Sequence, residues 1–203
     1  ANNDRQMRGG FSLYIPEYID KCEPTPLVMA LHGGTGHGSD FVWSWLREAR
    51  TKGFILMAPT SQGDTWSLMD EDIDLPALIQ EIELIANMLN IDRNKILLTG
   101  MSDGGTYSML AGIRERSPFT HLAPFSGVLH PEITMTGNIQ YARDRKIYLV
   151  HGTHDWMFPV ETAHMAEAEL TAAGADLSCR IIDGLSHTYC RTENPALLDW
   201  FMA

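Results

Sequence analysis

"ILLTGMSDGGTYSMLAG", Ile96 to Gly112, is the stretch on which the fold of this chain turns. It opens as an unbroken apolar run of strand length, passes a serine set between Gly100 and Gly104, and continues with helix-like spacing. A strand that bends into a helix within so few residues forces its apical residue into strained dihedrals and brings neighbouring turns close together. Glycines on either side remove the Cβ atoms that would collide there. The expected result is a serine, Ser102, held above the end of a sheet with its hydroxyl exposed.

Outward from this turn the same alternation repeats. Apolar runs of strand length stand at 11–15, 27–33, 54–59, 121–127, 147–152 and 177–183, and most lack a polar alternation, as strands covered on both faces do. Helix-like segments lie between them: "DFVWSWLREARTKG", then "DLPALIQEIELIANML" with Leu78, Ile82, Ile85 and Leu89 on one stripe and Pro76 near its start, then "VETAHMAEAELTAAG", with "PALLDWFMA" at the end. The acidic run Asp70 to Asp74 reads as the solvated start of the second of these helices, where carboxylates favour the helix dipole. Strands alternating with helices predict an α/β fold: a mostly parallel sheet of about seven strands with helices on both faces.

The 203 residues suit one domain, 1–203, with a sizeable core, and 44% hydrophobic with 20% charged residues is the composition of an ordinary globular protein. A net charge of -11 argues against nucleic acid or an anionic membrane surface as the main partner and favours neutral or cationic ligands. No apolar run approaches the length of a membrane span, and "ANNDRQMRGG" lacks the apolar core of a signal peptide. A cytoplasmic location is expected, with a processed leader left open because the first residue is not methionine. Cys22, Cys179 and Cys190 read as reduced, small apolar residues, with a Cys179–Cys190 bridge as the alternative.

Gly100-x-Ser102-x-Gly104 is weak by itself, since roughly one chain in fifteen of this length carries the pattern by chance. Its place between a strand and a helix is what matters, because that is the setting of a nucleophile elbow. A serine hydroxyl needs a base to take its proton, and the base needs an acid to orient it. Asp155, after the strand 147–152, and His187, after the last strand, supply both in the order Ser, Asp, His. The rivals are weaker. His151 and His154 share a loop with Asp155, Asp183 precedes Gly184 as a turn residue does, and His121, His130 and His164 have no strand-end setting.

Negative charge on an attacked carbonyl needs backbone donors. The N–H of Asp103 is the natural first one, and "ALHGGTGHG" offers a second from a glycine-rich loop. Gly34 is preferred there, with Gly33 and Thr35 as neighbours able to share the role and His32 bracing the loop. Trp66 and Met69 after the third strand, and Trp156 and Phe158 beside Asp155, are candidates to line a substrate pocket, with ordinary core packing as the competing reading.

In "LHGGTG", "APTSQGDTWS", "GMSDGG", "HGTHDWMFPV" and "GLSHTY", which follow one another across almost the whole chain, the sequence resembles the phospholipase/carboxylesterase branch of the α/β-hydrolase fold. The resemblance implies a compact hydrolase without a large cap domain, with Ser102 as nucleophile, Asp155 as acid, His187 as base and the Gly34 and Asp103 amides as oxyanion hole. The chain departs from the pattern at Gly34, where relatives often carry a bulkier apolar residue, and at Asp103, where glutamine is common. Its glycine-rich loop is also similar to that of polyester depolymerase-like and feruloyl-type esterases. The expected activity is cleavage of small-molecule carboxylic esters of short to medium acyl chain through an acyl-enzyme, with no metal or organic cofactor. Thioesterase or peptidase action on the same triad, and a non-catalytic binding module, are the alternatives. Oligomeric state is left open.

Overall fold

The computed structural model describes residues 7–69 and 71–203. In chain order the elements are β1 (Phe11–Tyr14), β2 (Thr25–Leu31), α1 (Gly38–Phe41), α2 (Leu46–Lys52), β3 (Ile55–Pro59), α3 (Asp74–Ala86), β4 (Ile91–Met101), α4 (Asp103–Gly112), β5 (His121–Phe125), α5 (Pro131–Met135), β6 (Lys146–His154), α6 (Val160–Ala172), β7 (Asp176–Ser186) and α7 (Asn194–Met202). The strands form one seven-stranded sheet in the order β1-β3-β2-β4-β5-β6-β7. β1 runs antiparallel to β3 and every other pairing is parallel.

Both faces of the central strands are covered, which is why their sequences carry no polar alternation. In β2, Leu27, Met29 and Leu31 pack with α3 and α4 residues such as Ile82, Ile85 and Met109, while Val28 and Ala30 pack on the opposite side with Trp45, Phe54, Leu197 and Phe201. β7 is an edge strand and much of it stays accessible.

The segment read as one helix over 40–53 is split into α1, a 3₁₀ turn at Val42–Ser44 and α2, and Gly53 ends it in the left-handed conformation (φ 77°). α5 and the 3₁₀ turn Asn138–Ala142 were not legible as elements, because each is about one turn long and has no periodic stripe. They are too short to form a cap over the sheet.

The acidic run departs further from expectation. Asp70 lies outside the described residues, but Asp72 and Asp74 are not solvated. Asp72 accepts from the Tyr107 hydroxyl at 2.5 Å and pairs with Arg114 at 2.9 Å. Asp74, 2% exposed, accepts from Gln62 N–H at 2.8 Å and from the N–H and hydroxyl of Ser67 at 2.7 and 2.8 Å. Fixed donors hold these charges in place of water, from α4 and Arg114 for Asp72 and from the preceding loop for Asp74. Cys22 is exposed rather than packed, and all three cysteines are free.

Burial of Glu81 on α3, with Asp74 adding repulsion, pushes its carboxyl up from 4.5 to about 8, and its Oε2 has no partner. The folded state thus holds a proton that the unfolded chain releases above its ordinary value, so stability falls as pH rises from about 4.5 to about 8. Glu81→Gln is expected to raise the melting temperature, and by more at alkaline pH than at pH 6. Thermal unfolding at the two pH values reads the difference, and a pH-independent shift would contradict the assignment.

Candidate active site

Chain order reverses across β2: β3 lies on one side of it and β4 on the other. Loops leaving the carboxyl ends of β2 and β4 therefore diverge from a crevice, the position where open α/β sheets place ligands. The loop after β2 carries Gly33 and Gly34, and the turn after β4 carries Ser102 and Asp103.

Ser102 adopts φ 57° and ψ -119°, a positive φ that costs a non-glycine residue on the order of 1–3 kcal/mol. The surroundings enforce it. The Ser102 N–H donates to Phe125 O at 2.9 Å, and its carbonyl accepts from Thr106 N–H at 2.9 Å. A Cβ on Gly100 would lie 2.4 Å from the Gly104 carbonyl carbon, and one on Gly104 would lie 2.4 Å from His32 O. Helix α4 thus crosses β2 and β4 with no room for a side chain at either position.

Three side chains distant in sequence converge at this rim. His187 Nε2 lies 3.0 Å from Ser102 Oγ, and His187 Nδ1 lies 2.9 and 2.8 Å from the two Asp155 oxygens. Asp155 Oδ1 also accepts from the N–H groups of Met157 and Phe158 at 3.0 and 2.8 Å. Burial works against its charge, yet the Phe158 N–H, the His187 ring and the Met157 N–H outweigh that and hold the carboxyl below its ordinary value. The carboxylate is therefore ionised and fixes the imidazole with hydrogen on Nδ1, leaving Nε2 free to accept from the serine.

Oxyanion donors need unoccupied N–H groups. Those of Gly34 and Asp103 have no partner among the described residues, whereas Ser102 N–H is taken by Phe125 and Thr35 N–H by Asp64 O at 2.9 Å. Thr35 is thereby removed from the donors considered. His32 is a brace: its Nδ1 donates to Gly33 O at 2.7 Å and its Nε2 accepts from Ser61 N–H at 3.1 Å. Burial lowers its pKa to about 4, partly offset by the bond to Gly33, so the ring is neutral near pH 7.

The expected pocket residues divide into two groups. Trp66 and Met69 line a groove of about 350 Å³ running from Gly63 to Asp74. Trp66 is 2% exposed, however, and corrects the reading of it as a substrate contact: its indole N–H donates to His32 O at 2.8 Å and its ring stacks on Tyr107 at 5.5 Å. Met69 is 88% exposed. Trp156 and Phe158 stand beside the imidazole instead, with ring centroids 6.0 and 5.4 Å from that of His187.

Two further contributors come from the structure: Arg8, which gave no sequence signal because its contacts reach across the fold, and His151, read from the sequence only as a weaker rival base. Arg8 donates to Gly63 O and Gly36 O, each at 2.8 Å, and to Ser61 Oγ, clamping two loops of the site together. His151, fully buried, donates from Nε2 to Phe158 O at 2.8 Å and lies 3.4 Å from Asp155 Oδ2, backing the acid rather than serving the serine.

Thr65 donates to Asp103 Oδ2 at 2.6 Å, and that oxygen fills the space where a Cβ on Gly34 would stand, 2.7 Å away. The chain's two departures from the family pattern are therefore one packing arrangement. Gly34→Ala is expected to swing the Asp103 carboxylate off Thr65 and disturb both amides, lowering kcat by about tenfold to a hundredfold, short of the ~10²–10³ for losing a donor outright. Gly34→Ala/Asp103→Ala should recover part of that loss, and a double-mutant cycle on kcat measures it. Additive losses would show that the two positions act separately.

The sequence profile of the Phospholipase/Carboxylesterase family matches residues 57–201. The chain belongs to that family. A curated relative, the bifunctional acetylxylan esterase/xylanase XynS20E of Neocallimastix patriciarum, is 26% identical over 157 aligned positions, covering 74% of this chain and 22% of that protein. The chain thus spans about a fifth of that relative's length. Among solved structures, one described as a thermostable esterase superposes with a TM-score of 0.78 at 22% identity, covering 95% of this chain and 58% of that one. Esterase PE8 gives 0.76 at 18% identity, covering 96% and 100%. At these identities the structures establish the fold, which is that of the α/β-hydrolases. No helix among the described residues is long and apolar enough to cross a membrane.

Proposed function

We propose that this protein is a serine carboxylesterase that cleaves esters of short to medium acyl chain through an acyl-enzyme. The observation that carries this reading is the unbroken hydrogen-bonded line from Asp155 through His187 to Ser102, at the same rim as two backbone N–H groups without a partner. As Ser102 Oγ bonds to the ester carbonyl carbon, His187 Nε2 takes its proton and Asp155 stabilises the imidazolium. The carbonyl oxygen, now negative, rests on the amides of Gly34 and Asp103. Collapse breaks the bond to the alkoxide, which leaves with the proton from Nε2, and a water repeats the sequence on the acyl-serine to release the acid. The family membership supports ester hydrolysis, and the acetylxylan esterase activity named for the curated relative supports the short-acyl end of the range.

The test is a panel of p-nitrophenyl acetate, p-nitrophenyl butyrate, an acyl thioester and a peptide amide, run beside labelling with a fluorophosphonate located by mass spectrometry. Ester turnover exceeding that of the thioester and amide, with the label on Ser102, is expected. Preference for either of the other substrates would reassign the reaction while keeping the triad. Failure to label the folded protein would instead favour a binding module that does not turn over.

A further inference from the structure

We propose that Arg8 is the positioning residue of the oxyanion hole, holding the Gly34 N–H where a negative carbonyl oxygen can meet it; the assignment rests on the esterase reading above. The loop after β2 cannot fix that amide by itself. Gly33, Gly34 and Gly36 make up three of its four residues at 33–36, and glycine gives up more conformational freedom on ordering than any other residue. Thr35, the fourth, sits at φ 56°, at a cost on the order of 1–3 kcal/mol that persists only where the surroundings enforce it. The bonds that enforce it lead to the segment after β3. Thr35 N–H donates to Asp64 O at 2.9 Å, and the His32 ring joins Gly33 O to the Ser61 N–H. What fixes residues 61–64 therefore fixes Gly34.

That segment is irregular as well, and the Arg8 guanidinium is its fastening. Nε donates to Gly63 O and one terminal nitrogen to Gly36 O, each at 2.8 Å, while the other donates to Ser61 Oγ and, at 3.4 Å, to Asp64 O. One planar group thus spans the oxyanion loop and its support, and its rigid fork of donors holds all four acceptors together. Topology brings it there. β1 is antiparallel to β3, so the chain that precedes β1 lies beside the chain that follows β3, at the rim where the catalytic loops leave the sheet. The pairing continues past both strand ends: Gly9 N–H donates to Ser61 O at 3.0 Å and Thr60 N–H to Gly10 O at 2.8 Å. Arg8, the next residue outward, is delivered to the loops.

The oxyanion forms twice in each turnover, on acylation and on deacylation, so a displaced Gly34 amide slows both steps and leaves KM nearly unchanged. Arg8→Ala is expected to lower kcat for p-nitrophenyl acetate about tenfold to a hundredfold, short of the ~10²–10³ for a donor lost outright, with KM within about twofold of the parent. Guanidinium chloride, below the concentrations that unfold the protein, should restore part of the loss, and ethylammonium chloride should not, because an ammonium lacks the fork. Arg8→Lys should stay impaired for the same reason, and it carries the kcat and KM comparison if Arg8→Ala does not fold. Amide hydrogen exchange at Thr35 and Gly36, whose N–H groups donate to Asp64 O and Gly33 O, should quicken in either variant. A folded variant with parental kcat, a loss confined to KM, or equal restoration by the two salts would overturn the proposal. A parent that hydrolyses no ester would remove the esterase reading instead; unchanged exchange would then overturn the hold of Arg8 on the loop, and faster exchange would keep it.

Discussion

Ser102→Ala is expected to reduce turnover of p-nitrophenyl acetate on the order of 10⁴-fold or more, while the protein stays folded. In the proposed mechanism the hydroxyl is the atom that bonds to the carbonyl carbon, and no other nucleophile stands within reach of His187 Nε2 in the described site. The substitution spares the fold for specific reasons. Ser102 caps α4 with no side-chain hydrogen bond, and its backbone bonds to Phe125 and Thr106 do not involve the hydroxyl. Alanine meets the same strain as serine at φ 57°, so the turn itself is unchanged. Initial rates, with circular dichroism as the control for folding, check the prediction. A folded variant within tenfold of the parent would remove Ser102 from its assigned role.

Asp155→Asn is expected to cost nearly as much, on the order of 10⁴ in kcat, by reversing the imidazole. The N–H groups of Met157 and Phe158 both point at Oδ1. An asparagine would keep its oxygen facing those two donors and turn its NH₂ toward His187. Nδ1 would then have to accept, its hydrogen would move to Nε2, and Nε2 would donate to Ser102 where it has to accept. The geometry would survive and the base would be lost. KM for p-nitrophenyl acetate should change far less than kcat, and the rate of fluorophosphonate labelling should fall in parallel with kcat. A variant with near-parental kcat would mean that Asp155 does not set the tautomer.

Asp155 also ties the site to stability. Its carboxyl is held below the ordinary value in the folded state, so its contribution is complete above the unfolded value and is lost as pH falls through the folded one. His32, lowered to about 4, acts in the same direction: the unfolded chain takes up a proton near 6.5 that the buried ring refuses until about 4. Acid therefore loosens the β2 loop and the His187 support together, while Glu81 works at the alkaline end.

The central strands fall where apolar runs stand in the sequence, because a strand buried on both faces must be apolar, while the edge strands β1 and β7 carry polar residues and β7 stays largely accessible. Ser102, Asp155 and His187 were legible for a related reason. Each follows a strand, and strand ends are where a parallel sheet exposes chemistry. The glycines at 100 and 104 declared the close approach of α4 in advance, since only a missing Cβ allows it. Residues whose roles depend on long-range partners were misread or missed. Trp66 has the composition of a pocket wall and is a buried prop, and Asp74 has that of a solvated helix start and is a buried clasp. Arg8 gave no sign of its grip on the loops around Gly36 and Gly63.

The order of residues along the chain determined by itself the alternation of strands and helices, the sharp turn at Ser102, and which acid and which base follow which strand. Those properties depend on local propensity and short-range sterics, which a linear sequence carries in full. Tertiary structure alone decided that His187 Nε2 stands 3.0 Å from Ser102 Oγ, that Thr35 has spent its N–H while Gly34 has not, and that Asp103 fills the space a side chain at 34 would need. Each of these is a distance between atoms far apart in the chain, and such distances come into being when the sheet order brings β2, β4, β6 and β7 to one rim.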